Sequence, residues 1–139
     1  MVTAKYMLDT NTVSYIIKDN PRAVRIHLNQ VPMSSIYISS ITEAELLTSV
    51  AKKPDAKHLP ILVKEFLLRV TILPWDSKAA KSYADFRTAI EKRGKSLGTM
   101  DMLIAANSLA AGTILISNDK AFYQLADQLT LEDWTQPKG

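Results

Sequence analysis

The 139-residue chain contains no cysteine. This excludes a disulfide framework and any thiolate-ligated metal site, and it suits a reducing compartment, so a cytoplasmic location is expected. Histidine is scarce as well: His27 and His58 are the only two, and their polar surroundings read as surface. A zinc site built from nitrogen and sulfur donors therefore has little to draw on. Long apolar runs are missing. Lys5 and Asp9 interrupt what would be the apolar core of a signal peptide. The most apolar segment, "LGTMDMLIAANSLAAGTILIS", carries an acid, an asparagine and Gly112, and reads as helix, turn and strand rather than a membrane span. With no internal repeat, low-complexity tract or linker, residues 1–139 are expected to form a single domain.

What remains is an ordinary globular composition, 47% hydrophobic and 22% charged. A chain of this size buries about two-thirds of its unfolded surface in one core. The net charge of +3 gives a mild preference for a polyanionic partner. Periodicity predicts a strand over residues 5–8 and a helix from Thr12 to Lys18, with a second helix opened by Pro21. Residues 35–39 read as a strand, and Thr42 begins a helix running to about Lys53. "HLPILVKEFLLRV" is a further helix and "TILPW" (71–75) a strand. Asp76 caps a long helix ending at Gly94, Thr99 caps a helix ending at Gly112, and "TILIS" (113–117) is a buried strand. "LTLED" closes the pattern as a short strand. Helices alternating with short strands predict an α/β three-layer sandwich with a mostly parallel central sheet flanked by helices.

On this map the acids follow a pattern. Asp9 ends the first strand, Asp119 follows the "TILIS" strand, and Glu45 and Asp101 lie in the opening turns of helices. Strand carboxyl ends and helix starts meet at one edge of an open α/β sheet, where ligands bind. Each acid also has a purely structural reading. Asp9 and Asp119 suit helix caps, Thr42 and Glu45 have the spacing of a capping box, and Asp101 would complement a helix dipole. Asp101 resists that reading, because it is the only charged residue between Lys95 and Asp119 and sits amid Met100, Met102, Leu103 and Ile104. Burying it unpaired costs several kcal/mol, on the order of the penalty for any lone ion. A divalent cation would compensate, and oxygen donors without thiolates point to a hard ion such as Mg²⁺.

These residues resemble the PIN-domain ribonucleases, and within them the VapC-type toxins of bacterial toxin–antitoxin pairs. The resemblance is carried in order by "MLDTN", "SSITEAELL", "MDMLIAA" and "SNDKAF", with "LTLEDW" matching the family's closing strand and Trp. It implies a Mg²⁺-dependent endoribonuclease, with Mn²⁺ as an alternative ion, acting on structured RNA such as tRNA. It assigns Asp9, Glu45 and Asp101 as catalytic metal ligands, helped by Asp119, and Thr10, Asn11 and Ser117 as groups behind the ligands or on phosphate. A helical wheel taken alone favours Glu43, which shares a stripe with Leu47, Val50 and Ala51; the family's Thr-x-x-Glu-Leu pattern favours Glu45. An acid cluster of this kind holds a divalent ion that activates water against a phosphodiester.

The basic run at Lys92, Arg93 and Lys95 precedes Asp101 closely enough to suggest contacts to RNA phosphates. Trp75 and Trp134 read as core covers. The family also implies a homodimer and a VapB-type antitoxin. "VSYII" and "AVRIHLNQV" predict two amphipathic helices framing an apolar groove beside Asp9, with Ile16 and Ile17 on it. Two other functions share the pattern. One is a receiver-like phosphoacceptor using Asp76 and Lys120; the other is a non-catalytic acidic docking module.

Overall fold

The computed structural model describes residues 3–137; Met1, Val2, Lys138 and Gly139, the ends of the expected 1–139 domain, lie outside the described residues. Five strands, β1 (Tyr6–Leu8), β2 (Ile36–Ser39), β3 (Thr71–Leu73), β4 (Ile114–Ile116) and β5 (Leu131–Glu132), form one sheet in the order β3-β2-β1-β4-β5. Every pairing is parallel. The helices are α1 (Thr10–Lys18), α2 (Arg22–Asn29), α3 (Ser40–Lys52), α4 (Leu59–Arg69), α5 (Ser77–Lys92), α6 (Thr99–Ala111) and α7 (Lys120–Tyr123).

Alternation along the central strands divides the core in two. Leu8, Ile36, Ile38 and Ile116 pack with Val13, Ile16, Val24, Leu28, Leu46, Val63 and Phe66 on the face covered by α1 to α4. Met7 and Leu115, one step along the same strands, turn to the other face and meet Phe86, Ile90, Met102, Ile104 and Phe122. Successive strand side chains point to opposite faces, so a central parallel strand must be apolar at every position. The three layers expected from the sequence are thereby present.

Several boundaries differ from the sequence reading, each for a capping reason. Asp9 accepts the Thr12 amide at 2.8 Å, so α1 starts at Thr10 rather than Thr12. Ser39 caps α3 by accepting the Ile41 amide, which makes Thr42 the third residue of the helix. Thr42 and Glu45 are therefore not a capping box, and Glu45 is left without a role in starting the helix. Gly98, not Thr99, precedes α6, and no side chain caps that end. The helix stops at Gly112, whose φ of 67° is the left-handed conformation that glycine adopts at no cost. The one-turn helix α7 and a 3₁₀ turn over Met33–Ser35 were not visible as patterns, being too short to show a period.

Candidate active site

The strand order reverses at β1: β2 and β3 lie on one side of it, β4 and β5 on the other. Beyond the carboxyl ends of β1 and β4 the diverging connections open a cleft, the usual ligand position in such sheets. Asp9 follows β1 directly and is 3% exposed. Its backbone N–H donates a hydrogen bond to the Ile116 carbonyl of β4 at 3.1 Å. Burial pushes its carboxyl above the ordinary value; hydrogen bonding from Ser117 and Thr12 opposes that rise, and the charge of Asp119 adds to it. Ser117, buried at the end of β4, accepts the Asp119 amide at 3.0 Å. Asp119 in turn caps α7 by accepting the Ala121 amide.

Asp101 enters from the first turn of α6. Its carboxyl is pushed up to about 6, first by burial and then by the charges of Asp119, Asp9 and Glu45. The sheet thus brings together the four acids that lie far apart in the chain. Glu45 is held by Thr10, whose hydroxyl donates to Glu45 Oε1 at 2.6 Å with Thr42 Oγ1 3.3 Å from it. Thr42 is fully buried; the sequence marked it as a capping-box residue and not as a neighbour of the acids, although its place three residues before Glu45, on the same face of α3, was the available signal. Tyr123 was missed as well. Its hydroxyl donates to the Ser117 carbonyl at 3.0 Å, and burial with nearby acids, among them Asp9, pushes the phenol up to about 12.

Among the described residues, no lysine or arginine forms an ion pair with any of the four acids; the ion pairs join Arg25 to Asp19, Arg87 to Glu91 and Arg93 to Asp127. Nor do any three acids close up enough to enclose an ion by themselves. A divalent cation held here would therefore take one or two carboxylates, with water completing its shell. The Asp101 carboxyl is raised first by burial and then by the three neighbouring acids, and hard oxygen donors are the right chemistry for such an ion.

Other candidates fall elsewhere. Asn11 is exposed on α1 and makes no hydrogen bond to the acids among the described residues. Arg93 is committed to Asp127 at 2.8 Å and Lys95 to the Gln124 carbonyl at 3.0 Å. These two cations tie the end of α5 to the segment after α7 rather than standing free at the cleft; Lys92 remains exposed. His27 is no plain surface residue: it stacks on Trp134 with the rings 4° apart and reaches the Gln136 carbonyl. Trp134 is buried as expected, whereas Trp75 is only half-buried. Asp76 caps α5 and is exposed, and the strand order is not the 2-1-3-4-5 of receiver-like sheets, which removes the phosphoacceptor reading.

Glu43 lines a groove with Leu47, Val50, Val63 and Leu67 between α3 and α4, while Glu45 faces Thr10 and Asp101. The apolar stripe that drew the helical wheel to Glu43 is that groove. Glu45→Gln is accordingly expected to lower RNA cleavage by about 10- to 100-fold, and Glu43→Gln by less than about 2-fold. Initial rates of the two variants side by side check this; equal losses would remove Glu45 from the site.

A groove does lie along α1 and α2. It has a volume of about 330 Å³ and is lined by Ile16, Ile17, Leu28, Met33, Leu62 and Phe66, so α4 supplies a wall that the local sequence did not suggest. It is not beside Asp9: Ile16 is two helical turns, roughly 10 Å, further along α1.

A family model for the PIN domain matches residues 6–128. The chain is a PIN domain of the VapC family. It is 35% identical over 130 residues to "Ribonuclease VapC2" of Haemophilus influenzae, covering 94% of this chain and 98% of that one. With the "tRNA(fMet)-specific endonuclease VapC" of Shigella flexneri it shares 31% identity over 131 residues, again covering 94% and 98%. Among solved structures it superposes on VapBC2 from Rickettsia felis bound to a DNA fragment from their promoter, with a TM-score of 0.83 at 32% identity over 93% of this chain and 98% of that one. The VapC assignment agrees with the order of the four motifs, and the parallel sheet with the expected fold.

Proposed function

We propose that this VapC-family chain is a divalent-metal-dependent endoribonuclease and the toxin of a type II toxin–antitoxin pair, cutting structured RNA, with tRNA a candidate, and so inhibiting translation. The observation that carries the reading is the convergence of Asp9, Glu45, Asp101 and Asp119 on one sheet edge with no lysine or arginine ion-paired to them among the described residues. Mg²⁺, or Mn²⁺ in its place, supplies a water of lowered pKa and charge for the leaving oxygen. Asp9 and Asp101 would be its principal ligands, with Glu45 and Asp119 completing the charge. Thr10 holds the Glu45 carboxylate in place, and Ser117 sets the turn that carries Asp119 while bonding toward Asp9. Unstacked loops of folded RNA suit an open cleft, because their bases and phosphates are accessible from one side. The products carry 5′-phosphate and 3′-hydroxyl ends.

Incubating the purified protein with tRNA in Mg²⁺, in Mn²⁺ and in excess EDTA tests this, with an Asp9→Asn preparation controlling for contaminating nuclease. Cleavage is expected with either ion and in neither control. Cleavage that survives EDTA or appears in the Asp9→Asn preparation would overturn the reading.

The partners proposed are a second copy of the chain and a VapB-type antitoxin, in the cytoplasm; no helix among the described residues is long and apolar enough to cross a membrane. The groove between α1, α2 and α4, lined by Arg25, Glu65 and Arg69 as well as by its apolar residues, suits an amphipathic antitoxin segment. Ile16 is 4% exposed, so a charge there would be buried and would unfold the helix from its core; Ile17 is the residue to test. Ile17→Glu is expected to weaken inhibition by antitoxin at least about 10-fold while cleavage without antitoxin stays near wild type, as loss of one interface anchor implies. Unchanged inhibition would exclude this groove.

A further inference from the structure

Trp75 stands just past the end of β3, at the same sheet edge as the acids, and the chain ties it there twice. Its backbone amide donates to Ser40 Oγ at 3.1 Å, in the first turn of α3. Its indole Nε1 donates to the Leu103 carbonyl at 2.9 Å, on α6. These are the two helices that carry Glu45 and Asp101, and Leu103 is two residues beyond Asp101. The ring is thus fixed in orientation beside the cleft, and it is half-buried, whereas Trp134 is 1% exposed. Tyr83 meets it edge-on, with centroids 5.9 Å apart and planes at 74°. Beyond Tyr83, the guanidinium of Arg87 lies 5.8 Å over the phenol ring, donates to its hydroxyl and is paired with Glu91 at 2.6 Å, so it buttresses the ring. An aromatic pair is therefore anchored on the two helices that carry Glu45 and Asp101, with Tyr83 of α5 supporting Trp75. Flat rings are how single-stranded nucleic acid is held without regard to sequence, since every base has a face to stack.

We propose that Trp75 is the stacking platform for the base next to the cleaved phosphodiester, with Tyr83 holding the ring from its edge. This rests on the ribonuclease reading. Trp75 is a substrate-binding residue here; it neither bonds to the four acids nor supplies a proton. Closing the seam between α5 and α6, its alternative role, would be met by an aliphatic side chain of similar bulk, and that difference decides the test.

Steady-state cleavage of a short mixed-sequence single-stranded RNA in Mg²⁺ is compared for wild type, Trp75→Phe and Trp75→Leu, with circular dichroism to check folding. Trp75→Leu is expected to raise KM by about 5- to 100-fold with kcat within about 2-fold, and Trp75→Phe to lie near wild type. A second measurement uses Asp101→Asn, in which the RNA binds uncut. Adding the RNA should quench tryptophan fluorescence, and the same titration of Trp75→Phe in that background should show no quench, because Trp134 is buried. An unchanged KM in folded Trp75→Leu, or a quench that persists without Trp75, overturns the proposal. If Trp75→Leu does not fold, the Phe variant and the titration decide. If wild type cuts no RNA under any divalent ion, the ribonuclease reading fails by itself, and the titration still reports on stacking.

Discussion

Asp101→Asn is expected to lower RNA cleavage by at least about 100-fold, since it removes a principal ligand of the activating ion. The same change should leave the metal-free protein as stable as wild type or more so. Asp101 is half-buried, and this burial, followed by the charges of Asp119, Asp9 and Glu45, raises its carboxyl to about 6. Its folded-state pKa thus lies above the ordinary 3.8, so the folded protein holds this proton more tightly than the unfolded chain does. The stability conferred is complete below the ordinary value and is lost as pH rises through about 6. Asp9, raised in the same direction, adds to the effect. Thermal melts without divalent ions should therefore show a midpoint that falls across this window and levels off above it. Mg²⁺ at neutral pH should restore the midpoint, because it binds the folded cluster alone. In Asp101→Asn both the pH slope and the Mg²⁺ response should shrink. Wild-type turnover by this variant at saturating Mg²⁺ would remove Asp101 from catalysis.

Asp9 has two roles that two substitutions separate. As the cap of α1 it accepts the Thr12 amide, a task Asn performs about as well. As a ligand it must be an anion, which Asn is not. Asp9→Asn should therefore lose cleavage by at least about 100-fold while melting at or above the wild-type temperature. Asp9→Ala should lose cleavage to the same extent and about 1 kcal/mol of stability besides, the usual worth of a cap. Cleavage retained in Asp9→Ala would show that this residue is a cap and nothing more.

The opening "MLDTN" contains both roles, and the sequence cannot rank them. A short apolar run, an acid and small polar residues is the pattern of a strand passing into a capped helix, and the structure bears this out with α1 beginning one residue after Asp9. What the pattern omits is where the carboxylate lies relative to residues over ninety positions away. The sequence does determine the layers, because parallel strands buried on both faces must be continuously apolar and their crossover helices must be amphipathic. With the ordered motifs it also determined which acids to examine.

Tertiary structure decided the rest. Glu43 and Glu45 are separated by half a helical turn, and the stripe beside Glu43 is equally consistent with core, groove or cleft until α4 is placed against α3. Arg93 and Lys95 are indistinguishable from phosphate-binding cations until Asp127 and the Gln124 carbonyl take them. Thr42 and Tyr123 acquire meaning only from their partners Thr10 and Ser117. The physical reason is common to all of these. Periodicity records what faces a helix or strand must bury, a property of the local chain, while the charge balance of a site depends on which distant groups the sheet brings within a few ångströms, where electrostatic interaction is strong and sequence separation is irrelevant.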